Sequence, residues 1–287
     1  MPDRLLASSN ALSWGMDRKI FPESWKRLDR AALHLKAFQT EWERITEPKS
    51  YEFVTEPSSD WTLGCLRAKA KNSRENSLAH ELGEFFYNMR AALDSTVYQA
   101  AIFLEDTASP ANADSLEFPI CDTEKRFKKS RIDKRNFPPD LVSWIRSIQP
   151  YNAPNTTDPG TLDLMTHLLM LHNCARKDRH RLPHIVAAFP THLSCRFSAI
   201  PPTIRVRNGQ GIRVNFLESD DPFFFFEIHG ADLTQNCNIK LESALKLEVS
   251  VDQIPIPPGG SFDSEIKRVC AAVEYVVGYF ENGFVLP

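Results

Sequence analysis

The sequence predicts an α+β protein: a helical bundle with a short hairpin near its start, then a strand-rich antiparallel region and a final helix. Three observations lead there. Apolar residues recur at helical spacing over much of residues 22–181 and again after 261. β-branched and aromatic residues fill short runs between 191 and 251. The two patterns come in blocks, which argues against an alternating parallel sheet. We expect residues 1–190 to hold the helices, the hairpin and long loops, and 191–287 to hold the strands and the last helix, the two packed as one unit.

In chain order, "PESWKRLDRAALHLKAFQTEWERITE" (22–47) places Trp25, Leu28, Ala32, Leu35 and Phe38 on one helical face. Pro22 suits its first turn and Pro48 ends it. "YEFVTE" and "WTLGCLRAKA" read as two strands around a "PSSD" turn. A long helix follows from about Ser77 to Leu104, its core stripe drawn by Leu82, Phe86, Met89, Leu93 and Val97. Proline and Asn/Asp punctuation over 106–160 argues for long loops, with a short helix at "DLVSWIRSI". The next helix runs from about Thr161 to Arg181, with Leu162, Met165, Leu168, Leu169 and His172 inward, and Pro183 stops it. Then "THLSCRFSAI", "TIRVRN", "IRVNFLE", "PFFFFEIH" and "LKLEVSV" are β-prone, with "NGQG" a hairpin turn signal. The last helix starts near Ser261 and turns Ile266, Val269, Val273, Val276 and Val277 to the core.

Composition narrows the function classes. A formal net charge of -3 gives no global field toward nucleic acid or an anionic membrane, so any anion-binding surface must be local. The opening residues lack a basic start followed by an apolar run, and no window is long and apolar enough to span a bilayer. A cytoplasmic protein with no membrane partner is expected. The six cysteines are scattered without a C-x-x-C pair, which fits reduced thiols. No P-loop, dinucleotide fingerprint or nucleophile elbow occurs. No cofactor is expected, and no metal: His167 and His172 do not share a helical face, while His80 and Glu84 are only two ligands.

Chemistry concentrates at two places. On the long helix, Gly83, Tyr87, Arg90, Asp94 and Tyr98 line up at steps of three and four. An exposed Arg–Asp pair in this order contributes only about 0.2–0.5 kcal/mol or less, since acid before base is the better order. Two readings therefore stand: a buried structural pair, or a guanidinium held by Asp94 and aimed at an anion, for which its planar charged fork is suited. The second place is "NCARKDRHR". Asn173, Lys177 and Arg181 share one face, Arg176 and His180 the next, and Asp178 is placed to orient His180 or clamp Arg181. The run "EKRFKKSRIDKR" (124–135) reads as a solvated basic loop, with a phosphate-tracking role as the alternative.

The series "LGEFFYNMRAALDSTVYQ", "FPI", "IQPY" and "LHNCARKDRHRL" resembles a group of uncharacterised bacterial proteins and, through its first motif, the HEPN superfamily. The likeness covers roughly residues 25 to 190. It implies a HEPN-like helical bundle, a homodimer, and RNA or another phosphate-bearing ligand in bacterial defence, stress or toxin–antitoxin systems. Members are often metal-independent ribonucleases; others only bind nucleotides or nucleic acid. Position by position, Arg90 matches the signature Arg, Asp94 the acid and Asn88 the polar residue ahead of them, while Ser95 stands where the signature His belongs. Serine is no proton acceptor near neutral pH without an activating base. The resemblance thus implies either a binder or a ribonuclease in which His180 replaces the missing base, taking a proton from an RNA 2′-hydroxyl while Arg90 stabilises the phosphorane-like charge. Catalytic candidates are accordingly Arg90, Asp94 and His180; ligand-binding candidates are Tyr87, Asn88, Asn173, Lys177, Asp178 and Arg181. The alternative is a non-catalytic interaction protein in which the Arg90–Asp94 pair is structural.

Overall fold

The computed structural model describes residues 20–46, 51–60, 62–70, 77–110, 113–130, 132, 137–180, 186–200, 205–208, 222, 224–230, 238–251, 254 and 260–284. Its elements are helices α1 (Pro22–Thr46), α2 (Ser77–Glu105), α3 (Glu124–Lys129), α4 (Pro139–Ser147), α5 (Pro159–His180) and α6 (Phe262–Phe284), with strands β1 (Tyr51–Pro57), β2 (Leu63–Ala70), β3 (Val186–Ile200), β4 (Arg205–Asn208), β5 (Phe224–His229) and β6 (Asn238–Val251). All described pairings are antiparallel, so the class is α+β. No described helix is long and apolar enough to cross a membrane.

The chain divides into two compact units, and the grouping differs from a single split near 190. One unit takes residues 1–37, 80–183 and 263–287; the other takes 38–79 and 184–262. The early hairpin therefore groups with the later strands, and the last helix with the earlier ones. The reason in the sheet is direct: β2 pairs with β1 on one side and with β5, more than 150 residues later, on the other.

In the helical unit the amphipathic stripes of α2 and α6 form the core. Leu82, Phe86, Met89, Leu93 and Val97 are all buried, as are Ile266, Val269, Val273, Val276 and Val277. Each such side chain contributes roughly 1.5–3 kcal/mol of burial. The α1 stripe is shifted slightly: Trp25, Leu28 and Phe38 are buried, but Ala31 is buried where Ala32 and Leu35 are partly exposed. On α5, Leu162 faces solvent at 41% exposure and Leu171 is buried. Polar side chains finish the ends of α1. Buried Glu281 accepts from Trp25 Nε1 at 2.8 Å and from the Phe21 amide at 3.4 Å, and Gln99 Oε1 accepts the Glu23 amide at 3.1 Å. Orphan amides of the first turn are thereby satisfied from other helices.

The basic run after 123 is not a plain loop. Thr123 caps α3, accepting from the Arg126 amide at 3.4 Å, and Phe127 is fully buried. One buried ring anchors the short helix while its lysines stay in water.

In the other unit the sheet order is β1-β2-β5-β4, and β3 pairs with β6 as a separate two-stranded ribbon. The "PSSD" turn is closed by Ser58 N donating to Leu63 O at 2.8 Å. The "FFFF" run supplies β5, an interior strand whose Phe224 and Phe226 are buried while Phe225 is 37% exposed. Gly64 lies opposite Phe226, and a Cβ there would collide with its ring; this is the reason for glycine within a strand. The β3–β6 register shifts between Pro190 and His192, where proline offers no amide to the ladder. "IRVNFLE" and most of "NGQG" lie outside the described residues.

Candidate functional site

Arg90 and Asp94 do meet, one turn apart on α2, with Nη2 2.9 Å from Oδ1. Arg90 is only 7% exposed. What they hold is the chain itself. Arg90 Nη2 donates to the Phe118 carbonyl at 2.5 Å, and Asp94 Oδ1 accepts the Phe118 amide at 2.9 Å. The pair thus treats the backbone of Phe118 as a neighbouring strand would.

Gln149 does the same one step further on. Fully buried, it accepts the Cys121 amide at 3.0 Å and donates to the Pro119 and Ile145 carbonyls at 3.0 and 2.9 Å. The Cys121 carbonyl accepts from the Tyr151 amide at 3.3 Å. Pro119 has no amide to satisfy. Phe118 and Cys121 are buried, so their backbone groups have to be paired, and side chains pair the Phe118 amide and carbonyl, the Pro119 carbonyl and the Cys121 amide in place of a sheet. The motifs "R-A-A-L-D", "FPI" and "IQPY" are thus three parts of one lock.

One donor remains over. Arg90 Nη1 is buried with no hydrogen-bond partner among the described residues. Around it lies a basic neighbourhood. His172 on α5 is partly buried, and its pKa is lowered to about 4, first by burial and then by the charges of Arg90 and Arg176; Arg126 adds to this and Asp122 opposes it. The imidazole is therefore neutral at pH 7. Arg176 is exposed, and Arg126, 2.6 Å from Asp122, is 60% exposed. Three guanidiniums against two carboxylates, Asp94 and Asp122, leave the neighbourhood positive. Burial also pushes the Cys121 thiol up, so it is not a nucleophile.

This arrangement has a pH signature. The unfolded His172 binds a proton below about pH 6.5 whereas the folded one resists it down to about pH 4. Between those values the unfolded state holds more protons, so stability is lost as pH falls through that window. Thermal melts from pH 7 to 4 should show a decline that His172→Gln flattens; an unchanged slope would show that the ring titrates normally.

The other candidates fare unequally. Asn88 is buried and occupied, its Nδ2 donating to Glu84 O at 2.9 Å and its Oδ1 accepting from Arg27 Nη1 at 3.4 Å. It braces α1 against α2. Tyr87 is partly buried and Asn173 exposed. The side chains of Lys177, Asp178, His180 and Arg181 lie outside the described residues. His167, set aside as a metal ligand, is 2% exposed and bound to Glu265. Gln149 carries a part in this neighbourhood that sequence reasoning did not assign, and Arg126 was named only within the basic run 124–135. The buried position of "IQPY" was the available signal, since a polar side chain among apolar neighbours needs partners.

No protein-family model, curated protein or solved structure matches the chain.

Proposed function

We propose that this is a non-catalytic, HEPN-like protein that binds a phosphate-bearing ligand, RNA first among them, at a basic mouth made by Arg126 and Arg176. The observation that carries this reading is the commitment of Arg90: its Nη2 and its partner Asp94 are spent on the Phe118 backbone, leaving Arg126 and Arg176 as the exposed cations beside a neutral His172. Guanidiniums at a surface suit phosphate through bidentate, salt-sensitive contacts. Ser95 offers no base for strand cleavage.

Anisotropy with a labelled single-stranded RNA tests it. Wild type should bind with affinity that falls as salt rises. Arg126→Ala/Arg176→Ala should weaken binding at least about tenfold and lower the log–log salt slope by about 1.4. Products should show no new ends. Unchanged binding in the double variant would remove the mouth from the proposal.

A second reading, the ribonuclease, is favoured by the unpartnered Nη1 of Arg90, a buried donor that would reach a scissile phosphate only once the side chains covering it move. It requires cleavage by wild type, lost in Arg90→Lys and in His180→Ala, with end groups of 2′-hydroxyl attack.

A further inference from the structure

A cavity lies on the helical unit among α4, the start of α5 and α6. Its volume is about 520 Å³, within the range of small-molecule sites. Nothing in the phosphate reading uses it. Its lining includes Trp144 and Tyr275, the apolar Ile148 and Leu164, and the charged Asp158 and Arg268.

The rings are preorganised. Trp144 stacks on Tyr279 with centroids 3.7 Å apart and planes 10° apart, which fixes the indole. Tyr275 stands 6.1 Å from it and is 54% exposed, a large apolar surface left beside an open cavity. The charges are not balanced evenly. Arg268 sits 3.4 Å from Asp163 and 3.8 Å from Glu265, so its charge is compensated twice. Asp158 caps α5, and its carboxyl is held below the usual range first by the Thr161 side chain and then by the Thr161 amide, which it accepts at 2.7 Å, so it stays ionised. It has no cationic partner among the described residues. The cavity therefore offers aromatic faces, an apolar floor and two carboxylates, Asp158 and Asp163, against the single guanidinium of Arg268.

We propose that this cavity binds a small organic monocation with an apolar or aromatic body: an amine or quaternary ammonium whose charge meets Asp158 and whose body packs on Trp144 and Tyr275. Cations over indole and phenol faces gain from the ring quadrupole, and more so beside a carboxylate. An anion would meet Asp158, and a neutral ring would leave it unanswered.

Calorimetry on the full chain, with phenethylamine, its neutral isostere 2-phenylethanol and its anionic isostere 3-phenylpropionate, decides it. Saturable binding of the amine is expected, with the alcohol at least about tenfold weaker and the acid weaker still. Asp158→Asn should lower amine affinity roughly tenfold, and because asparagine caps helices as well as aspartate the variant keeps the α5 start. Tyr275→Ala, at an exposed site, should weaken both amine and alcohol. The Arg126→Ala/Arg176→Ala protein should bind the amine normally, which separates this site from the phosphate mouth. Equal binding of the three probes, no saturation by about 10 mM amine, or an Asp158→Asn protein that binds as wild type would each overturn the proposal.

Discussion

Asp94→Ala is expected to destabilise the helical unit by about 3 kcal/mol, read by urea unfolding at pH 7. The loss has two sources. Arg90, 7% exposed, is left without its counter-charge, and the Phe118 amide is left without an acceptor in a buried segment. Asp94→Asn separates them, because the amide oxygen still accepts from Phe118 while the charge is gone; about 1–2 kcal/mol is expected. Replacing both partners, as Arg90→Leu/Asp94→Leu, should not restore stability. That pattern marks a lock on the backbone rather than an ordinary ion pair, since the Phe118 carbonyl and amide then both lack partners. A cost below about 0.5 kcal/mol for Asp94→Ala, the value of an exposed helical pair, would return the two residues to a solvated face and reopen Arg90 as a ligand group.

His167→Ala should be at least as costly, about 3–5 kcal/mol. His167 is 2% exposed and Glu265 about 5%, and the two join α5 to α6 through a 3.0 Å contact. The other ring nitrogen of His167 lies 2.7 Å from the Asp163 carbonyl. Without the ring, Glu265 remains a buried carboxylate with only the half-exposed Arg268 at 3.8 Å to answer it. Here, unlike at Arg90, replacing both partners should recover most of the loss: a well-packed His167→Leu/Glu265→Met protein removes the charge and its partner together. If the double variant is as unstable as the single one, the contact is not the source of the stability.

These outcomes separate two kinds of buried polarity in one helical unit. The first serves a chain segment that cannot join a sheet. The second serves the seam between two helices. Arg126 and Arg176 are exposed cations beyond the first, and that is why the proposed phosphate binding is placed there.

The sequence made the two charged residues on α2 visible, and their one-turn spacing predicted that they would touch. It held no information on their third partner, Phe118, which is 24 residues past Asp94. Asn88 shows the same gap from the other side: its polarity suggested a ligand, and its contact with Arg27 emerged only from how α1 lies along α2. His172 was placed inward by periodicity, and its pKa is lowered first by that burial, yet the further lowering by Arg90, Arg176 and Arg126 comes from guanidiniums on three helices.

What the sequence by itself determined is local. Leu82 to Val97 on α2 and Ile266 to Val277 on α6 repeat at helical spacing, because helices are specified by residues three or four apart. Only the tertiary structure decided that β2 would lie between β1 and β5, that the last helix would group with the first ones, and that Gln149 and the Arg90–Asp94 pair would stand in for a strand along Phe118 to Cys121. Those choices depend on which distant segments satisfy one another's buried backbone groups, a condition that no local spacing encodes.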